Sequence, residues 1–317
     1  MPEESSQGVP PIRTSATGRA IIYTVVTCTL SWSFLVAIKG GLQLPPWAFL
    51  FVMMWIPAVV SLAMRGAFRE GCADAGLLAG RFRYWAWAYL CPLALATVAY
   101  ATACALQQVH ITPYLKQQSM YGPVPFRLTW WNADSAVAGL LFQRFFVTAT
   151  LGVAIGFIYG LGEEIGWRGY LLPKLVRGGV KRPIFISGVI WGAWHIPFVL
   201  LFYEQHRYIT SALYALGCVI FGVFMGWLRL ASGSVFVAAM AHAAYNTFFQ
   251  DLYDHSFAGP NKWFWAGDVG FWCSVAFGAL AIWLYQSGRI TASLQRAAVN
   301  SDGQPGRPEQ LHKEMNP

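Results

Sequence analysis

FFVTATLGVAIGFIYGLGEEIGWRGYLLPKL, residues 145–175, decides how this chain folds. From Phe145 to Gly162 it carries no Asp, Glu, Lys or Arg, and then Glu163, Glu164 and Arg168 follow in quick succession. A helix needs about 20 mostly apolar residues to cross roughly 30 Å of hydrocarbon, and charged groups at that depth are costly. The stretch reads as a membrane helix that continues through the glutamates, since no breaker precedes Pro173, and stops at Gly178-Gly179. Its polar groups need a reason to be there.

The rest of the chain repeats the pattern. Uncharged runs occupy 20–38, 40–64, 84–115, 183–203, 208–228, 230–250 and 269–288, making eight with 145–162. Of 317 residues, 56% are hydrophobic and 11% charged, against roughly 25% charged in a soluble domain. Gly and Ala are mixed among the large apolar residues, which lets membrane helices approach closely. Aromatic pairs such as Trp85/Trp87 and Trp263/Trp265 fit anchors at the headgroup level. The expectation is an all-α membrane protein: a polytopic bundle of about eight transmembrane helices. Residues 1–19 and 291–317 are polar and are expected as flexible tails around a membrane domain at 20–290. The first run lacks a clear cleavage site and is expected as a retained helix. The connection at 110–134, with three prolines and Trp130-Trp131, is expected outside the membrane as an irregular or interfacial segment.

A formal charge of +8 does not indicate nucleic-acid binding, because of where it lies. If the termini share one side, of 22 Lys and Arg residues only Lys39, Lys116, Arg127, Arg207 and Lys262 fall on the other, with Arg144 at a helix end. That bias places both termini in the cytoplasm of a multi-pass plasma-membrane protein. Six cysteines (Cys28, Cys72, Cys91, Cys104, Cys218, Cys273) form no C-x-x-C pair and read as packing residues.

Three polar constellations remain. Glu164 and Arg168 are one helical turn apart in the favoured acid-first order, whereas Glu163 points about 100° away and has no such partner. WGAWHIPF places His195 one turn after Trp191, and AMAHAAYNTF places His242 and Asn246 on one helix face. Taken singly, each is as well explained by helix packing. Taken together, three membrane helices each carry expensive polar groups, which points to one interior site.

These motifs, Glu163-Glu164-x-x-x-Arg168, then Trp191-x-x-x-His195, then His242-x-x-x-Asn246, resemble the CAAX-protease and bacteriocin-processing (Abi) family of intramembrane glutamic endopeptidases. The family's second motif usually begins with Phe where this chain has Trp191, a position expected to shape the pocket. The resemblance implies that Glu163 and His195 activate water and that His242 and Asn246 stabilise the oxyanion. Chemistry supports the allocation. Peptide hydrolysis needs a base, and Glu163 is the carboxylate free of a charge partner, while Glu164, tied to Arg168, orients the helix. His195 can shuttle a proton, and losing one oxyanion donor costs about 10²–10³-fold in rate.

With the glutamates on a helix emerging toward the cytoplasm, the site is expected in an intramembrane cavity open to the cytoplasm. Its expected partner is a peptide or protein at that leaflet, with or without a lipid group, as in CAAX-type or leader-peptide processing. No cofactor is expected. The rival mechanism is zinc held by Glu163, His195 and His242, although H-E-x-x-H is absent. A transporter would also keep Glu, His and Arg inside a bundle, but no pair of broken helices in matching halves is evident. A catalytically silent scaffold or immunity protein is the third possibility. No G-x-S-x-G occurs to support a serine nucleophile.

Overall fold

A computed structural model describes residues 14–111, 118–119, 122–123, 145–203 and 206–301. Helices dominate: α1 (Ala16–Lys39), α2 (Pro46–Ala67), α3 (Arg83–Ala105), α4 (Phe145–Arg177), α5 (Pro183–Phe202) and α6 (Arg207–Ser232) are long and apolar enough to cross a membrane. The other two expected spans are shorter. The central α7 (Val235–Tyr245) continues as a π-helix through Asn246–Tyr253, and α8 (Phe271–Gln286) has 16 residues. Among the described residues length and composition thus mark six spans, with α7 and α8 below that length, within an all-α polytopic architecture.

Helix covers part of both expected tails. The first helix starts at Ala16, capped by Ser15, whose Oγ accepts from the Gly18 amide at 3.1 Å. At the other end α9 (Arg289–Ser301) occupies the first part of the expected 291–317 tail and packs on α6. Its buried Ile290 and Ser293 hold it there. Of the 110–134 connection, His110–Ile111 pairs antiparallel with Phe257–Ala258, and Gln118–Ser119 with Gly122–Pro123. The remainder lies outside the described residues. Cys72 is exposed, unlike the other cysteines, so it is no packing residue.

Successive helices run antiparallel and sort the connections into two ends. One end holds the start of α1, the 68–82 loop, the α4–α5 turn, the α6–α7 turn and α9; the other holds residues 40–45, 106–111 and 254–270. The first end is basic and tied by partly buried ion pairs. Lys174 Nζ contacts Glu70 Oε2 at 2.6 Å and Asp74 Oδ2 at 2.9 Å, Arg65 Nη1 contacts Asp74 Oδ1 at 2.6 Å, and Arg19 Nη1 reaches Glu70 at 2.5 Å. Lys174 is buried in this network. Burial alone raises the Asp74 carboxyl, but the hydrogen bonds from Lys174 and Arg65 outweigh it and hold the pKa below the usual carboxylate range. A depressed folded-state pKa contributes stability above the unfolded value of about 3.9, lost as pH falls through the folded one. Asp74→Asn is thus expected to cost about 1–3 kcal/mol near neutrality. In thermal unfolding in detergent, its deficit against the parent protein should shrink below about pH 4.

The centre of the bundle is α4 packed back to back with α7, with α2 on the far side of α4, α3 on the far side of α7 and the α5–α6 hairpin alongside. Small residues set these distances. A Cβ on Gly160 would stand 3.3 Å from both Cβ and Cγ of His242, so the missing methyl is what brings α7's histidine against α4. A Cβ on Gly166 would lie 2.7 Å from the Pro57 carbonyl carbon and would meet the Tyr23 hydroxyl, which locks α4 against α1 and α2.

Candidate active site

The α-helical hydrogen-bond pattern of α4 widens to a π segment at Trp167–Leu171, immediately after the paired glutamates. Such insertions free carbonyls from the regular ladder and often occur at functional sites. Here two guanidinium groups take them up. Arg229 Nε donates to the Arg168 carbonyl at 3.1 Å, and Arg65 Nη2 to the Gly169 carbonyl at 2.9 Å. The segment that aims both glutamates is therefore clamped from α2 and α6.

Glu163 and Glu164 are 2% and 0% exposed and differ in their partners. Among the described residues no Lys or Arg pairs with Glu163. Its Oε2 accepts from the indole Nε1 of Trp191 at 2.7 Å and of Trp167 at 3.3 Å. Glu164 Oε1 accepts from Arg168 Nη1 at 2.9 Å, the intrahelical pair its spacing announced, and lies 2.8 Å from His242 Nδ1. A carboxylate at Nδ1 fixes the imidazole so that its Nε2 is the free nitrogen. Arg168, 1% exposed, lies with its guanidinium carbon 4.5 Å over the Trp191 ring.

His195 is half-buried in α5. Its Nδ1 is 2.9 Å from the Trp191 carbonyl, one turn back, which again leaves Nε2 free. Trp191 stands between the two histidines, with ring centroids 5.2 Å from His195 and 5.6 Å from His242. Asn246 opens the π segment of α7, is 8% exposed, and lies one turn beyond His242. Glu163, Trp191, His195, His242 and Asn246 all line a single cavity of about 530 Å³, while Glu164 and Arg168 buttress it from behind.

Three features go beyond the sequence reading. Trp191, expected only to shape the pocket, also donates the shorter hydrogen bond to Glu163, which a phenylalanine there could not do. Trp167 donates the other; its spacing of four from Glu163 repeats that of Arg168 from Glu164 and could have revealed it. His242, expected with Asn246 to offer donors, is also anchored to Glu164.

The cavity extends beyond these residues. Away from the site it is lined by Tyr203, His206, Asp254, Lys262 and Trp263, at the end opposite the basic one. These far lining residues and the basic residues thus lie at different ends of the bundle.

Fold and site together define a polytopic membrane protein built around a buried pair of carboxylates and two imidazoles. Residues 145–248, from the start of α4 to just past Asn246, match the family model of type II CAAX prenyl endopeptidase Rce1-like proteins. The three motifs that carry the resemblance all lie within this stretch, which is about a third of the chain. No curated protein matches the chain.

Proposed function

We propose that the protein hydrolyses a peptide bond inside the membrane with Glu163 as general base. The observation that carries this is the state of Glu163: a buried carboxylate facing a cavity, held by two neutral indole N–H groups and left without the cation that its neighbour has. Water enters between Glu163 and the substrate carbonyl and gives a proton to the carboxylate as its oxygen attacks the carbonyl carbon. The tetrahedral oxyanion is met by the Asn246 amide and by Nε2–H of His242, which bears a proton on both nitrogens in this role. With both glutamates ionised, Arg168 and the imidazolium then balance the charge. When the C–N bond breaks, the proton from Glu163 passes to the leaving amine, with His195 Nε2 available to relay it.

Zinc fits the arrangement poorly. Among the described residues no three His, Cys, Asp or Glu side chains are grouped to hold a metal. The test uses purified protein in detergent and a panel of quenched peptides, with and without an isoprenyl group. At least one should be cleaved, and its rate should be unchanged by EDTA. Loss of activity in chelator, restored by zinc, would transfer water activation to a metal; no cleavage across the panel would remove the endopeptidase reading.

A further inference from the structure

The cavity's direction has a bearing on where its substrate lies. On the side of the basic end the site is closed, among the described residues, by packed aromatic rings: Trp167, Tyr170 and Tyr23, each 0% exposed, with Tyr23 5.7 Å from Trp167 and 5.1 Å from Tyr170. Beneath them lies the network of Arg65, Glu70, Asp74 and Lys174. In the other direction the cavity runs past the apolar wall of Phe49, Met53 and Phe198 to Tyr203, which is 41% exposed, and to the Asp254–Lys262 pair at 2.9 Å. Access is thus from one end of the bundle.

The two ends differ in charge. Among the described residues the closed end holds Arg19, Arg65, Lys174, Lys181, Arg182 and Arg229 with further Arg and Lys residues, while the open end holds only Lys39, Arg207 and Lys262, accompanied by Asp254 and Asp268. Membrane proteins keep Lys- and Arg-rich connections in the cytoplasm. Given the endopeptidase reading, on which this rests, we infer that the cavity opens to the non-cytoplasmic side and that the substrate is a peptide segment exposed there, on an exported or membrane-anchored polypeptide. The aromatic and apolar walls suit an extended segment that inserts apolar side chains from that surface toward Glu163.

The experiment reads the side and the chemistry separately. Tyr203→Cys and Lys262→Cys, each combined with Cys72→Ser, are expressed in full-length protein. Sealed right-side-out and inside-out membrane vesicles are then treated with a membrane-impermeant maleimide. Both introduced thiols should label in right-side-out vesicles and lose labelling in inside-out ones until detergent is added, while Cys72 of the parent chain, in the 68–82 loop, shows the reverse. Labelling of both introduced thiols from the inside-out face, or of neither from outside, overturns the inference. In the same vesicles an impermeant peptide that the solubilised protein cleaves should be cut only when added outside right-side-out vesicles, and cutting confined to inside-out vesicles overturns it as well. If the solubilised protein cleaves nothing, the endopeptidase reading fails, and the labelling still reports which way the cavity faces.

Discussion

Glu163→Gln should reduce kcat for peptide cleavage by about 10²–10⁴-fold, the usual contribution of a positioned general base. The substitution is chosen because it keeps the shape and the hydrogen bonds. A glutamine carbonyl oxygen can still accept from Trp191 and Trp167, whose indoles hold the native carboxylate, while the amide cannot take a proton from water. The thermal unfolding midpoint should therefore stay close to that of the parent protein and KM should change little, as expected when an interaction made only in the transition state is lost. Full activity in this variant would remove Glu163 from the reaction and leave the cavity without its base.

The second large effect falls on stability. Arg168 and Glu164 form an ion pair whose side chains are 1% and 0% exposed, and removing one member of a buried pair strands the other charge. Arg168→Met is expected to cost about 3–5 kcal/mol, seen as a marked fall in the thermal midpoint in detergent. Pairing it with Glu164→Leu should recover much of that loss, since no isolated charge remains, although His242 Nδ1 then lacks its acceptor at a residual cost of about 1–3 kcal/mol. Cleavage should stay absent in the double variant because nothing orients the His242 ring. Equal stability of the single and double variants would show that the pair is not desolvated as its burial indicates.

How much of this was legible in the sequence depended on the distance over which residues act. Glu164–Arg168 could be read from spacing alone because both lie on one helix. So could the order of the three motifs, which carried the resemblance. The contacts that define each carboxylate could not, since Trp191 reaches Glu163 from α5 and His242 reaches Glu164 from α7, three helices on. The clamps from Arg65 and Arg229 were equally hidden, as they bond backbone carbonyls exposed only because the helix widens at Trp167–Leu171. Composition misjudged the stretch after Arg289, where polar residues suggested a tail but Ile290 and Ser293 turn one face into the bundle. The direction of the cavity was illegible for a different reason. A charge-free run shows that a helix crosses, but not toward which end its small residues leave space.

The centrality of α7 has a consequence for how the bilayer acts on the protein. Nearly every residue from Val235 to Leu252 is covered by neighbouring helices. A helix enclosed in this way has no hydrophobic length to match against acyl chains, which is why an 11-residue α-helix with a π extension can serve at the centre while its neighbours run to 20 residues or more. Thinning or thickening of the surrounding lipid is absorbed as tilt by the outer helices. His242 and Asn246 ride on a strut that the lipid does not touch.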